Sequence, residues 1–363
     1  MPDDALPPLI HHIKCGQDTE SLVELVRTNT DLPKAYIQEL LDFGAIYMAV
    51  PHAKWQPTVS KVEGMSKAVR VTEDQWVPQD GYVRVHVNPK RHRGAVGRDW
   101  SDHVIEKTKD YIVVDKPAGV PTVPTVDNLI ESALHQVSVA ANDGDDLWVT
   151  SRLDVCTSGV VVFGRSSEAA GALNKVIREQ QQTKVYRLLC QGEVPTGIMR
   201  NRYKKMRGAQ KGFKPTLLRE FREDSSPDPA HSPWQIAELQ VLSCSPVFKE
   251  RGSEAQLYEC EVRLITGRTH QIRLQFAAHG APLVGDTRYQ PVAGLIDEGP
   301  DTLWGDGSQL FGREPERICL QSSKVVFELG EEGTMQFEAG TPWWHDVDQL
   351  KEVLCGEWAP TSA

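Results

Sequence analysis

No run of apolar residues in this 363-residue chain approaches the length of about eighteen that spans a bilayer, and the opening MPDDALPPLIHHIK has neither the basic nor the apolar stretch of a secretory signal. No membrane partner is expected. Acidic residues so near the start argue against an intact organelle transit peptide, so the expected location is intracellular: cytoplasmic, or an organelle if a leader has been removed. The seven cysteines, Cys15, Cys156, Cys190, Cys244, Cys260, Cys319 and Cys355, are odd in number and include no CxxC pair. That pattern argues against zinc and for reduced, mostly buried thiols in a reducing compartment. GxxxxGK[ST] and GxGxxG are missing, so no nucleotide cofactor is expected, and no GxSxG elbow marks a serine nucleophile. Ser158, in Thr-Ser-Gly, reads as a turn residue.

What is present is uneven. The formal net charge of -10 speaks against a polyanionic partner, yet residues 200–219, RNRYKKMRGAQKGFKPTLLR, carry Lys and Arg and no acid at all. Tyr203 and Phe213 lie among these basic residues, which favours a loop that grips RNA over a merely solvated one.

A chain of this length exceeds the size at which one core stops growing, so two unequal domains are expected. Residues 1–103 form a small α+β unit with a linker. Within it Leu22, Leu25 and Val26, then Tyr36, Ile37, Leu40 and Leu41, recur at helical spacing, Gly44 stops the second helix, and DGYVRVHVNP alternates with the period of a half-buried strand. The basic KRHRGAVGRDWSDH reads as the linker. Residues 104–350 form the larger domain, rich in short β runs such as YIVVDKP, GVVVFGR and LYECEVRLI, and 351–363 a tail. One helix follows Ser167, a candidate N-cap, with Glu168 in its first turn; another runs from Thr269 to about Gly280. The fold class is α+β, with a mixed, mostly antiparallel sheet flanked by helices. Residues 222–234 and much of 290–310 have loop composition.

The sharpest chemical signal is TSRLDVCTSGVVVFGRS, residues 150–166. It sets one carboxylate, Asp154, two residues after Arg152 and just before a small polar turn that runs into a buried strand. An isolated aspartate there would ordinarily be a turn residue accepting backbone N–H bonds. Here the neighbouring guanidinium and the donors of the turn describe a carboxylate held ionised at a strand entrance, able to serve as nucleophile or base.

SRLDVCTSGVVVFGR resembles the motif that carries the catalytic aspartate of the RluA-type RNA pseudouridine synthases. Three further pieces follow the family's order: YIVVDKPAGVPTVPT, KVYRLLCQGEV with the active-site tyrosine, and LITGRTHQIRLQFAAHGAPLVGDTRY. The likeness spans about residues 108–340. It implies the pseudouridine synthase fold and isomerisation of uridine to pseudouridine in structured rRNA or tRNA, without metal or cofactor, by a monomer. Asp154 would be catalytic, attacking the ribose C1′ or the base, or acting as a base that forms a glycal. Arg273 would pair with it, Tyr186 would stack under the uracil, Arg152 would fill the space the flipped base leaves, and Arg268, Thr269 and His270 would hold phosphate at a helix N-terminus. Ser151 stands where the family usually has histidine, and LQSSKV at 320–325 replaces the common LHA-type sequence. The first hundred residues resemble the S4 RNA-binding domain, without its basic helix residues. Two rivals exist: a non-catalytic RNA binder that keeps the fold, and a glycosidase, which normally needs two carboxylates; Asp286 is the one acid near the motifs.

Overall fold

Serine 21 starts helix α1 (Leu22–Asn29) by accepting the Glu24 N–H on its hydroxyl, and α2 (Lys34–Asp42) ends at Gly44, whose φ of 64° is open to glycine at no steric cost. Leu22, Val26, Ile37, Leu40 and Leu41 are fully buried. They cover an antiparallel four-stranded sheet of β1 (Ile10–Lys14), β2 (Ile46–Ala49), β3 (Val69–Val71) and β4 (Tyr82–His86), in the order β1-β4-β2-β3. Val83 and Val85 of β4 face this core while Arg84 lies over the ring of Tyr47 on the other face.

The computed structural model describes residues 6–51, 65–142, 144–179, 181–205, 216–220, 234–250, 256–295, 312–328, 333–354 and 358–360. It divides into two compact units: Met1–Ser101 with Val120–Leu147, and Asp102–Gly119 with Trp148–Ala363. Residues 90–101 are packed in the first unit. Arg91 Nε donates to Glu131 at 2.9 Å, the buried Trp100 donates to the Ala95 carbonyl at 2.7 Å, and Ser132 caps α3 (Ala133–Ala141).

The second unit is built on a large sheet. Its strands are β5 (Val104–Lys107), β6 (Tyr111–Lys116), β7 (Trp148–Val149), β8 (Ser158–Gly164), β9 (Gln182–Cys190), β10 (Gly197–Lys205), β11 (Thr216–Glu220), β12 (Gln235–Glu250), β13 (Gln256–Leu264), β14 (Leu320–Glu328), β15 (Thr334–Glu338) and β16 (Trp358–Pro360). The main path runs β11-β10-β12-β13-β9-β14-β8-β6-β5, with β15 on β14, β16 on β12 and β7 on β8. Among the described residues every pairing is antiparallel except β8 with β14. The sheet is therefore mixed and mostly antiparallel, as expected. Helices α4 (Ser167–Arg178), α5 (Gln271–Ala278) and α6 (Val347–Lys351) complete the unit. The cap of α4 is Ser166, not Ser167: its extended backbone, φ -144° and ψ 164°, lets the hydroxyl accept the Ala169 N–H.

No helix among the described residues is long and apolar enough to cross a membrane.

Candidate active site

All seven residues of β8 are buried: β14 and β6 flank the strand in the sheet, and its Val160 and Val162 pack with Leu173 of α4 and with Phe327 and Phe337. A charged side chain has no room within it, so the carboxylate of the motif stands just before it. Asp154 closes the entering turn by accepting the Thr157 N–H on its carbonyl at 3.1 Å, which leaves its side chain 34% exposed. Gly159, at φ 110°, lets the turn pass into the strand: a Cβ there would lie 2.3 Å from the Ser322 carbonyl oxygen. Ser158 donates to the Leu320 carbonyl at 3.4 Å, in keeping with a structural hydroxyl.

Arg273 comes to Asp154 from α5, every residue of which is buried. Its Nη1 lies 3.7 Å from Asp154 Oδ2, an ion-pair separation beyond hydrogen-bond reach. The expected partner is thus present but is not the nearest. Asp286 takes the guanidinium bidentately, from Nε at 2.8 Å and Nη2 at 2.9 Å, and Glu314 accepts from Nη1 at 2.6 Å. A cation only 1% exposed must have its N–H groups satisfied; Asp286 and Glu314 share that task, and Asp154 adds only its charge. Burial works against the charge of Arg273, yet the bond to Asp286 holds it firmly protonated. Burial likewise pushes Glu314 up, but Arg273, with help from Arg288, holds the carboxyl down at about 2. Arg288 donates to the other Glu314 oxygen at 2.5 Å.

His270 precedes α5 in the left-handed region, φ 53°, and places Nε2 3.6 Å from Asp154 Oδ1. Burial drives its pKa below 6.5, the Asp154 charge only partly opposing, so the ring is neutral at neutral pH. Burial keeps the Tyr289 hydroxyl protonated and it sits 2.8 Å from His270 Nδ1; with Arg273 Nη1 also facing Nδ1 at 3.5 Å, the network assigns Nδ1 as acceptor and leaves the proton on Nε2, toward Asp154. Tyr186, on β9, faces Ser322 of β14 in the ladder. Burial lifts its hydroxyl to about 12 against a hydrogen bond with Ser322, and the charge of Asp154 is close enough to add to the rise. Burial also lifts the neighbouring Cys156 to about 12, which keeps it a thiol.

The remaining expected residues spread outward. Arg152 is exposed and makes no hydrogen bond or ion pair among the described residues. Arg268 donates from Nε to the Ile236 carbonyl at 3.0 Å. Thr269 is exposed and is not the helix cap: α5 begins at Gln271, its cap position is His270, whose side chain makes no capping bond, and the Gln271 side-chain oxygen instead accepts the Arg268 N–H at 3.0 Å. The basic segment also departs from expectation. Its described beginning is β10, where Arg200 pairs with Glu238 at 2.7 Å, and Tyr203 is core, 3% exposed, donating to the Thr269 carbonyl at 3.2 Å. Residues 206–215, including Phe213, lie outside the described residues, as do much of 222–234 and of 290–310 and Cys355. Asp286 is not the one acid at the site: Glu314 joins it. Glu314, Arg288 and Tyr289 had no motif to announce Glu314 and only the TRY of the third motif to hint at the other two.

The family model described as RNA pseudouridylate synthase matches residues 110–278. The chain is 31% identical over 399 residues to "RNA pseudouridine synthase 6, chloroplastic" of Arabidopsis thaliana, covering 93% of this chain and 82% of that protein. It is 29% identical over 398 residues to the protein of the same name from Oryza sativa subsp. japonica, with 93% and 80% covered. It is also 29% identical over 276 residues to "tRNA pseudouridine(31) synthase" of Saccharomyces cerevisiae, covering 71% of this chain and 64% of that one.

Proposed function

The chain belongs to the RNA pseudouridine synthase family, isomerases of uridine in RNA, and on that premise we propose that Asp154 is the catalytic group. The reaction breaks the N1–C1′ bond, turns the uracil and rejoins it through C5, with loss of the C5 proton. Asp154 attacks C1′ or the base, or removes a proton to give a glycal; each route needs one ionised carboxylate. The observation that carries this reading is a partly exposed carboxylate at the mouth of a buried strand, with a permanently charged guanidinium 3.7 Å away. The proton on His270 Nε2 adds a second, neutral donor facing the same carboxylate. Asp286 and Glu314 are both bound to Arg273, which speaks for one working carboxylate and against a glycosidase pair.

Extruding a stacked uridine costs a few kcal/mol. The exposed Arg152 fills the vacated stack, Tyr186 stacks under the uracil, and Arg268, Thr269 and His270 hold the backbone at the α5 N-terminus. The substrate is a structured rRNA or tRNA, and the chain works as a monomer, without metal or cofactor, in the cytoplasm or an organelle. The test uses total RNA labelled with C5-tritiated uridine from cells lacking this protein. Wild-type protein releases tritium to water and Asp154→Ala releases none; release by the variant equal to wild type refutes the assignment, and no release by either refutes the RNA substrate class.

A further inference from the structure

Away from Asp154, three thiols share one face of the large sheet. Cys244 of β12 stands directly opposite Cys260 of β13 in the antiparallel ladder. Cys190 of β9 lies two positions beyond the residue that faces Cys260, and its Sγ is 3.7 Å from that of Cys260. Cys190 and Cys260 are buried, whereas Cys244 is half-buried.

Three small core residues would need no polar order, but these sulfurs have one. The Val194 N–H points at Cys244 Sγ at 3.4 Å. The sulfurs around Cys190 and its burial keep it protonated, with the Gly192 carbonyl at 3.2 Å and the Tyr258 carbonyl at 3.5 Å as alternative acceptors for its one proton. The neighbouring Cys190 thiol and the Val194 N–H draw the Cys244 thiol downward, against partial burial and the nearby charge of Glu193. A half-buried thiol whose sulfur faces an N–H donor, directly opposite a buried thiol, is the arrangement of a redox-sensitive site, and in a reducing compartment protein disulfides are chiefly transient ones.

We propose that Cys244 is a peroxide-reactive thiol that closes a reversible disulfide with Cys260 across the β12–β13 ladder. The Cys244 thiolate attacks a peroxide oxygen; the S–O bond forms, the O–O bond breaks, hydroxide leaves and is protonated, and the sulfur, oxidised by two electrons, becomes a sulfenic acid. Cys260 sulfur then displaces that hydroxyl, forming the S–S bond while its own proton leaves with the hydroxyl as water. Two thiols and one peroxide give one disulfide and two waters. Directly opposed antiparallel residues have Cα atoms about 4.5–5.5 Å apart, inside the window of about 4.4–6.8 Å that a disulfide needs.

The full-length reduced protein is treated with a small excess of hydrogen peroxide, alkylated, digested and mapped by mass spectrometry. A Cys244–Cys260 peptide pair lighter by two hydrogens, reversed by dithiothreitol, is expected. In Cys260→Ser the sulfenic acid on Cys244 persists and is trapped by dimedone, and Cys190→Ser still forms the disulfide. On the unmodified chain, which depends on no variant folding, iodoacetamide at pH 7 alkylates Cys244 roughly tenfold faster than the buried Cys319. Peroxide that leaves Cys244 reduced, or joins it to Cys190 in the wild type, overturns the proposal.

Discussion

Replacing Arg273 by methionine tests how the site is held together. The substitution keeps much of the side-chain volume but removes the cation that Asp286 grips bidentately, leaving a carboxylate that is 1% exposed without its counter-charge. Breaking a buried pair from one side costs about 3–5 kcal/mol, most of it the stranded charge rather than the lost attraction. Loss of the guanidinium over the Tyr289 face, 5.1 Å from the ring centroid, adds about 0.5–2 kcal/mol. Urea unfolding followed by far-ultraviolet circular dichroism at pH 7 measures the total. The informative comparison is the double variant Arg273→Met, Asp286→Asn, in which no fully buried carboxylate is left without its counter-charge; it should recover at least half of the pair's about 3–5 kcal/mol, a coupling of about 1.5–2.5 kcal/mol. A single variant that costs less than about 1 kcal/mol, or a double variant no more stable than the single, would refute the reasoning.

Two glycine substitutions should move stability in opposite directions in the same unfolding assay. Gly159→Ala meets the Ser322 carbonyl at 2.3 Å from a left-handed backbone and should cost about 2–5 kcal/mol, whereas Gly171→Ala, inside α4 with nothing within 4 Å, should gain about 0.5–1 kcal/mol. Glu314 has its carboxyl held at about 2 in the folded chain against an ordinary 4.5, so its bonds stabilise the fold fully above pH 4.5 and are lost as pH falls toward 2. The stability gap between wild type and Glu314→Gln should therefore be constant from pH 7 to 5 and close below it; a gap that does not change with pH refutes the pairing. Arg152→Ala should leave unfolding within about 0.5 kcal/mol of wild type, because the side chain is exposed, while tritium release falls; equal release argues against its role on RNA.

Much of this was legible from residues alone. The period-two alternation of β4, the helical spacing of Leu22, Ile37 and Leu40, and the placement of Asp154 before an apolar strand are local patterns, and local patterns survive folding. Ser166 and Ser167 stand side by side, and only the backbone angle decides which one caps. A basic neighbourhood says nothing about which face of β10 is covered, and α5 covers the face that carries Tyr203. Glu314 was invisible for a different reason. It meets Arg273 from 41 residues away in sequence, in a segment without a motif, and nothing in a chain of letters records how many carboxylates converge on one guanidinium. The sulfur cluster is the same case: scattered cysteines become neighbours only through the register of three strands.

The position of β14 has a consequence for synthesis. This strand comes late in the chain yet lies between β8 and β9, so the Asp154 turn before β8 and Tyr186 on β9 are bridged by backbone that leaves the ribosome well over a hundred residues after both. A nascent polypeptide stopped short of Leu320 would hold two half-sheets with bare edges where the middle belongs, open to mispairing. Competence for chemistry thus waits until β14 has emerged, and a message truncated before Leu320 yields an inert product rather than an unregulated enzyme.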